Sequence, residues 1–364
     1  MKGAHDLIIV GGGPGGSAAA IIAARAGARV LLVERAVFPR DKVCGDCLNP
    51  ECWDVFDRLG VSDEIRRLPH AALERVSFVS RGGRTVEFDM ATSDRGEIAL
   101  RRRYLDDVLL RQAVLAGAEV RQGLAVTGVT RDAGEWTVRT DSDLNRAHLL
   151  IAADGRNSAV ARLLGFRARR EPMRDRVGLQ AHAAVPSALA HTVQMRWLEA
   201  GYGGLAPVGE GLLNISLAGR PDRIELLKAW AANEFGKIGD WRTIAPLSRR
   251  AFPAARDDGC FLVGDAARVV EPFTGEGIYY AMLSGELAAS NAVEVVAGRM
   301  TVAQAARRYR RMHARLYRGR LWLNRLAKAA VLHPRLAGVV LSWSGSHPAW
   351  LRLLTARIVG PLRA

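Results

Sequence analysis

The first apolar block of the chain is Leu7-Ile8-Ile9-Val10, cut off by a run of glycines. An Ala- and Ile-rich stretch follows at residues 17–26, and a second apolar run at residues 29–33 ends on an acid, Glu34. Short continuous apolar runs predict strands buried on both faces, so the opening reads strand, helix, strand. Residues 50–59 predict a helix. Residues 73–80 and 84–88 alternate instead, around Arg81-Gly82-Gly83, and predict a hairpin. A helix is expected from Arg101 to Ala116, then a short strand pair between Ala118 and Thr140, then a buried strand at residues 148–153. Residues 177–185, 192–197, 202–207 and 212–218 read as strands of a mostly antiparallel sheet, with a helix at residues 223–235. Residues 260–263 return to the buried-strand pattern and lead to a helix at residues 279–296.

The breaks between these elements carry the chemistry. Gly11-x-Gly13-x-x-Gly16 lies between the first strand and the first helix, with Glu34 closing the second strand. The first glycine permits the tight turn, the second lets backbone approach a pyrophosphate, and the third lets helix pack on strand. The helix N-terminus faces the phosphates and the acid takes ribose hydroxyls, which together indicate a dinucleotide site. Two later strands end in the same way, at Asp154-Gly155 and at Gly264-Asp265, and the glycine-rich loop 271–278 precedes a helix N-terminus suited to an anionic or electron-accepting group. Three strand ends of this kind call for a ligand larger than a mononucleotide. The polar loop 35–49 holds Cys44-Gly45-Asp46-Cys47, whose spacing fits a redox pair, half a zinc site or a loop beside a cofactor. Zinc lacks a second close pair of Cys or His, so no metal is expected. Arg101-Arg102-Arg103 fits either a solvated face or a phosphate contact.

Composition narrows the class. The 364 residues suffice for one large or two ordinary domains, and the net charge is +15. Arginine is scattered along most of the chain without a nucleic-acid-binding motif, so the positive balance suits an anionic cofactor, an acidic carrier or electron-donor protein, or an anionic membrane surface. Four cysteines are too few for a disulfide scaffold and point to a reducing cytoplasm. No signal peptide is expected, because the N-terminus runs straight into a strand, and no apolar run reaches the ~20 residues that span a bilayer. The expected location is cytoplasmic, with peripheral membrane contact allowed. Tyr309, Met312, Leu316, Leu323 and Leu326 recur at helical spacing opposite Arg307, Arg308, Arg311, Arg315 and Arg318. The apolar, Trp-bearing stretches 331–343 and 350–359 follow; they read as helices packing on the protein or as a basic surface resting on a membrane.

Taken together, the glycine fingerprint with Glu34, Ala153-Asp154-Gly155 with Ser158, Gly264-Asp265 and Arg102-x-x-Leu105-Asp106-x-x-Leu109 resemble the FAD-dependent hydroxylase superfamily over residues 5–300. Within it, Cys44-Gly45 and Pro272-Phe-Thr-Gly-Glu-Gly-Ile-Tyr-Tyr-Ala-Met-Leu-Ser-Gly285 are similar to the geranylgeranyl reductase group. The flavin halogenase motif Trp-x-Trp-x-Ile-Pro is absent. So is the Asn that aromatic hydroxylases of the p-hydroxybenzoate type carry after the loop, where Ile278-Tyr279 stands here. The reductase group's Tyr-x-Trp-x-Phe-Pro segment is reduced to Tyr202-Gly-Gly-Leu-Ala-Pro207, a change on the substrate side.

The resemblance implies an α/β fold: a glutathione-reductase-type Rossmann FAD-binding domain (residues 1–70, 99–165 and 250–300), an inserted antiparallel β-sheet substrate domain (71–98 and 166–249) and a helical C-terminus (301–364). It implies cofactor contacts at Gly11, Gly13, Gly16, Glu34, Arg35, Cys44, Gly45, Arg102, Val126, Asp154, Gly155, Gly264, Asp265, Pro272, Gly275, Gly277 and Ile278. Cys44 and Glu276 are the catalytic candidates, Cys44 as a shape-setting residue and proton donor. The implied reaction passes hydride from reduced FAD to a carbon–carbon double bond of a small apolar substrate, isoprenoid or polyketide-like. The alternative is an FAD-dependent monooxygenase that hydroxylates or epoxidises a small apolar or aromatic substrate. No second glycine fingerprint with an acid occurs, so the electrons are expected from transiently bound NAD(P)H or a protein donor.

Overall fold

The computed structural model describes residues 5–90, 92–166, 176–247, 251–271 and 275–318. Strand β1 (His5–Val10), helix α1 (Pro14–Arg25) and β2 (Val30–Glu34) form the opening unit. Next come β3 (Cys47–Leu48), α2 (Cys52–Leu59), α3 (Ser62–Arg67), β4 (Ala71–Ala72), β5 (Arg75–Val79), β6 (Thr85–Asp89), β7 (Ile98–Ala99) and α4 (Arg102–Leu115). The chain continues through β8 (Glu119–Gln122), β9 (Val126–Asp132), β10 (Glu135–Thr140), β11 (Leu144–Ala152) and α5 (Ala159–Leu163). Then follow β12 (Val177–Ala184), β13 (Thr192–Trp197), β14 (Gly201–Pro207), β15 (Leu212–Gly219), α6 (Ile224–Phe235), β16 (Arg242–Ile244), β17 (Cys260–Leu262), α7 (Gly277–Val296) and α8 (Val302–Arg318).

The first sheet runs β8-β2-β1-β11, with β17 parallel to the C-terminal half of β11 and the β10-β9 hairpin antiparallel to its N-terminal half. The parallel strands are buried on both faces because each face has its own cover. Leu7, Ile9, Leu32, Leu149 and Ile151 pack with α1, α4 and α7, whereas Ile8, Val10, Leu31, Leu150 and Leu262 pack with Val129, Trp136 and Val138 of the hairpin and Val160 of α5. The strand pair expected between Ala118 and Thr140 is three strands. Glu119–Gln122 leaves the hairpin and pairs parallel to β2, since Val120 falls in register with Leu32 at the edge of the apolar sheet.

The second sheet has the order β16-β12-β15-β14-β13-β5-β6. All its pairings are antiparallel except β13 with β5, so the early hairpin adds onto strands that lie a hundred residues further on. Leu179, Leu205, Leu213, Ile215 and Leu217 bury one face against α6. No helix among the described residues is long and apolar enough to cross a membrane. Residues 272–274, which include the expected contact Pro272, and the stretches 331–343 and 350–359 with Leu323 and Leu326 lie outside the described residues.

Candidate active site

The glycine turn draws two strand ends together. Gly11 has φ +104°, and a Cβ there would sit 2.5 Å from Ala153 O at the end of β11, so no other residue fits without shifting backbone. Gly13 caps α1 without a side-chain acceptor, and Pro14 opens the helix, so the first amides of α1 are left for an external anion. Beside Gly13 the space is open: a Cβ there would find only Arg40 Nη2, 3.9 Å away. Glu34 is 6% exposed. Its Oε2 accepts from Gly12 N at 2.6 Å and its Oε1 from Ala36 N at 2.8 Å. A carboxylate fixed by two amides still has acceptor sites for ribose hydroxyls. Exposed Arg35 follows it, and Val126 opens β9 two residues beyond Leu124, whose amide donates to Glu34 O at 3.0 Å.

Next to this turn lies a surplus of positive charge. Burial, followed by the nearby charges of Arg102, Arg40, Arg35 and Arg156, lowers the Lys42 ammonium to about 8. Arg102 donates Nε and Nη2 to Asp106 at 2.7 and 2.8 Å, and Arg40 Nη1 lies 2.9 Å from the same carboxylate. Arg156 Nη2 donates to Asp265 at 3.3 Å. Among the described residues these five cations form ion pairs only with Asp106 and Asp265, an excess that a pyrophosphate diester would offset. Arg101, Arg102 and Arg103 are not a solvated face. Arg101 pairs with Asp41 and Glu210 and is 15% exposed, because the turn into α4 points it inward.

At the other end, the Cys44–Cys47 loop is tied to the second sheet. Asn214 Nδ2 and Ser216 Oγ donate to Cys44 O at 2.9 and 3.0 Å, and Asp46 Oδ2 accepts from Asn214 Nδ2 at 2.6 Å and Gln180 Nε2 at 3.1 Å. Asp46 adopts φ +61°, which an Asp tolerates better than most residues and which these bonds hold in place. Burial pushes the Cys44 thiol up, and the Arg102 guanidinium beside it opposes the shift. Burial raises Cys47 further. All four cysteines are free thiols, and no cluster of His, Cys, Asp or Glu suited to a metal ion occurs among the described residues.

The last loop comes back onto this one: a Cβ on Gly275 would stand 4.0 Å from Cys47 Cβ. Glu276, 2% exposed, occupies the N-cap position of α7 without a side-chain capping bond, and Gly277 and Ile278 supply the helix's first amides. Just upstream, Glu271 accepts from Arg176 Nη1 and Nη2 at 3.1 and 2.7 Å and from the Tyr202 hydroxyl at 3.3 Å. The α7 helix meets α1 backbone to backbone, where a Cβ on Gly285 would overlap Gly15 O. Gly264 N donates to Ser284 Oγ of α7 at 2.8 Å and sets Asp265 next to that contact.

Asp154 is half-buried at the strand end: its Oδ2 accepts from Val160 N at 3.0 Å in the first turn of α5, where the Ser158 hydroxyl accepts from Ala161 N, while its Oδ1 has no hydrogen-bond partner among the described residues. Gly155 has φ +80°, and a Cβ built there would meet nothing within 4 Å, so there is room beside it. Arg102 is anchored to Asp106 and reaches Cys44, so it links the cationic end to the thiol end. Arg40, Lys42, Asp46, Arg156, Arg176, Glu271 and Asn214 escaped the sequence reading. The first three stand in a loop without periodicity, and the others are recruited from distant elements. The cradle at Gly13, the open helix N-termini, Glu34 and the unbalanced cations fit FAD.

The profile of a family described as "FAD binding domain" matches residues 4–209. A menaquinone reductase of Mycolicibacterium smegmatis is 34% identical over 322 residues, covering 79% of this chain and 76% of the relative. A digeranylgeranylglycerophospholipid reductase of Methanocella arvoryzae is 30% identical over 332 residues, covering 85% and 82%. Among solved structures, a flavin-dependent brominase superposes with TM-score 0.82 at 21% identity, covering 98% of this chain and 94% of that one, a likeness of fold. The chain belongs to the FAD-binding domain family and is a flavoprotein of the FAD-dependent oxidoreductase superfamily that includes the geranylgeranyl reductases.

Proposed function

We propose that the protein is a reductase that saturates a carbon–carbon double bond of an apolar, isoprenoid or polyketide-like substrate. The observation that carries this reading is the identity of 34% and 30% with two relatives named as reductases, each matched over more than three quarters of its length. Menaquinone and digeranylgeranylglycerophospholipid, the compounds in those names, both bear isoprenoid chains. FAD, when bound and reduced, supplies a hydride.

The remaining work falls to side chains and amides of this chain. The first amides of α7, at Gly277 and Ile278, stabilise negative charge at the flavin end of the cofactor. Glu34 and the amides of α1 hold the other end, with Lys42, Arg40 and Arg102 around the phosphates. Asn214 and Ser216 fix the Cys44 carbonyl, which aims the loop and shapes the substrate face. Cys44 remains a protonated thiol at neutral pH, so it can deliver the proton that completes the reduction. Glu276 braces the loop at the start of α7. Gly204 and Ala206, which stand where the reductase motif has its two bulky aromatics, lie on the face of the second sheet turned away from α6 and leave more room there; Gly203 and Leu205 face α6 instead. NAD(P)H, bound transiently, is the proposed electron source.

The deciding experiment is anaerobic. Chemically reduced enzyme is mixed with a panel of polyprenyl and aromatic acceptors while flavin absorbance is followed. Reoxidation by a polyprenyl acceptor, with a product two hydrogens heavier, supports the reductase. Turnover that strictly requires oxygen would sink it in favour of monooxygenation.

A further inference from the structure

The excess charge of this protein is confined to one end. Residues 295–364 contain 14 Lys and Arg and no Asp or Glu, which leaves the first 294 residues within one charge of neutrality. The described part of that end is α8, and its two faces differ sharply. Ala305, Ala306, Tyr309, His313 and Tyr317 are buried against the core. Arg307, Arg311, Arg315 and Arg318 recur every three or four residues on the outer face, joined by Arg308, and all five are exposed.

Among the described residues none of these five arginines forms an ion pair, and only Arg308 lies near an acid, Glu294, which Arg299 already binds. Elsewhere many surface arginines are paired, Arg29 with Asp6, Arg95 with Asp54 and Asp57, Arg111 with Glu64 and Asp107, Arg196 with Glu234; exposed arginines without an ion pair, such as Arg67, Arg81, Arg84, Arg139 and Arg146, are scattered there and do not line one helix face. Even on α8, Arg310 turns aside to Asp257 at 2.9 Å. The unpaired stripe runs from Arg307 to Arg318, roughly 17 Å at the helical rise. At its N-terminal end it enters a groove of about 300 Å³ lined by Arg299, Met300, Gln304, Arg307, Arg308 and Arg311. A solvated face has no reason to exclude acids from seventy consecutive residues, whereas a surface that meets a dense anionic plane does.

We propose that the outer face of α8 docks on an anionic phospholipid bilayer. The groove takes a lipid phosphate and the stripe lies along the headgroups, while the buried face keeps the helix attached to the protein. Charge alone would equally suit an acidic protein. The sequence that follows decides for the bilayer: Trp322, Trp343 and Trp350 stand among Leu and Val with Arg and Lys interspersed. That is the composition of a segment at home between headgroup and acyl chain, and an acidic protein surface would have no use for it. Docking in this orientation would bring a lipid-like substrate to the enzyme, but the inference rests on the charge and not on the reductase reading.

The test reads binding rather than turnover, so its failure and that of the proposed reaction remain separate. Full-length holoprotein is co-sedimented with vesicles of phosphatidylcholine alone or mixed with phosphatidylglycerol, at low and high salt. Arg307→Gln/Arg311→Gln/Arg315→Gln is compared with Arg81→Gln/Arg84→Gln, which removes two exposed charges from the β5–β6 turn. Each arginine near an anionic surface contributes roughly fivefold to partitioning, so the triple variant should lose about a hundredfold and the control severalfold at most. Unchanged flavin content confirms that the variants are folded. Equal binding to neutral vesicles, no binding to anionic ones, or a triple variant that binds like the parent overturns the proposal. Stripe-dependent capture of an acidic electron-transfer protein with no vesicle binding would overturn it too and name that partner instead.

Discussion

Arg176 and Glu271 form a two-point ion pair with side chains only 6% and 3% exposed, one residue just before β12 and the other just before the loop into α7. The pair therefore ties the second sheet to the segment that ends at the flavin loop. Removing one partner leaves a buried, uncompensated charge, which typically costs about 3–5 kcal/mol. Glu271→Gln and Arg176→Met should each lower the denaturant midpoint accordingly. The double replacement Arg176→Met/Glu271→Leu should recover most of the loss, as measured by equilibrium unfolding of the holoprotein.

The contact of α1 with α7 sets the distance between the two helix N-termini that serve the cofactor. Gly285→Val forces the helices apart at Gly15, a strain of about 1–3 kcal/mol or more. The expected result is weaker FAD retention on gel filtration together with a lower melting temperature. Ala288→Gly, one turn further along the buried face of α7, should lower the melting temperature without the same loss of flavin.

Lys42 gives a pH signature. Its ammonium is held at about 8 in the folded protein, against about 10.4 in an unfolded chain. Between those values the unfolded chain binds more protons, so the apoprotein should gain stability as pH rises from about 8 to about 10. FAD phosphates favour the charged ammonium, so FAD affinity should fall as pH rises through the same window. Lys42→Met should flatten both profiles in titrations followed by flavin fluorescence.

Cys44 separates binding from chemistry. Because burial keeps its thiol protonated at neutral pH, iodoacetamide should label it slowly at pH 7. Cys44→Ala should retain FAD and lose turnover by roughly tenfold or more, the usual scale for a displaced proton donor. Cys44→Ser should recover part of it. A Cys44→Ala enzyme with undiminished kcat would assign the proton to solvent.

Much of this protein is written locally. The buried runs at Leu7 to Val10 and at Val30 to Val33, the glycines between them and Glu34 specify a strand–helix–strand dinucleotide unit, because each signal depends only on neighbours in sequence. The same holds for Gly264-Asp265 and the amphipathic face of α8. Tertiary structure decided what those signals meet. It moved Glu119–Gln122 out of the expected strand pair into the parallel sheet, because the pairing energy lies with β2 and not with the adjacent hairpin. It set one oxygen of Asp154 on the first turn of α5, and it assembled Arg40, Lys42, Arg102 and Arg156 into one cationic site from segments with no common period. It also placed Asn214 and Ser216 under Cys44, across 170 residues of chain. Backbone periodicity and turn chemistry can be read along a sequence; long-range charge and hydrogen-bond partners exist only once the sheets have packed.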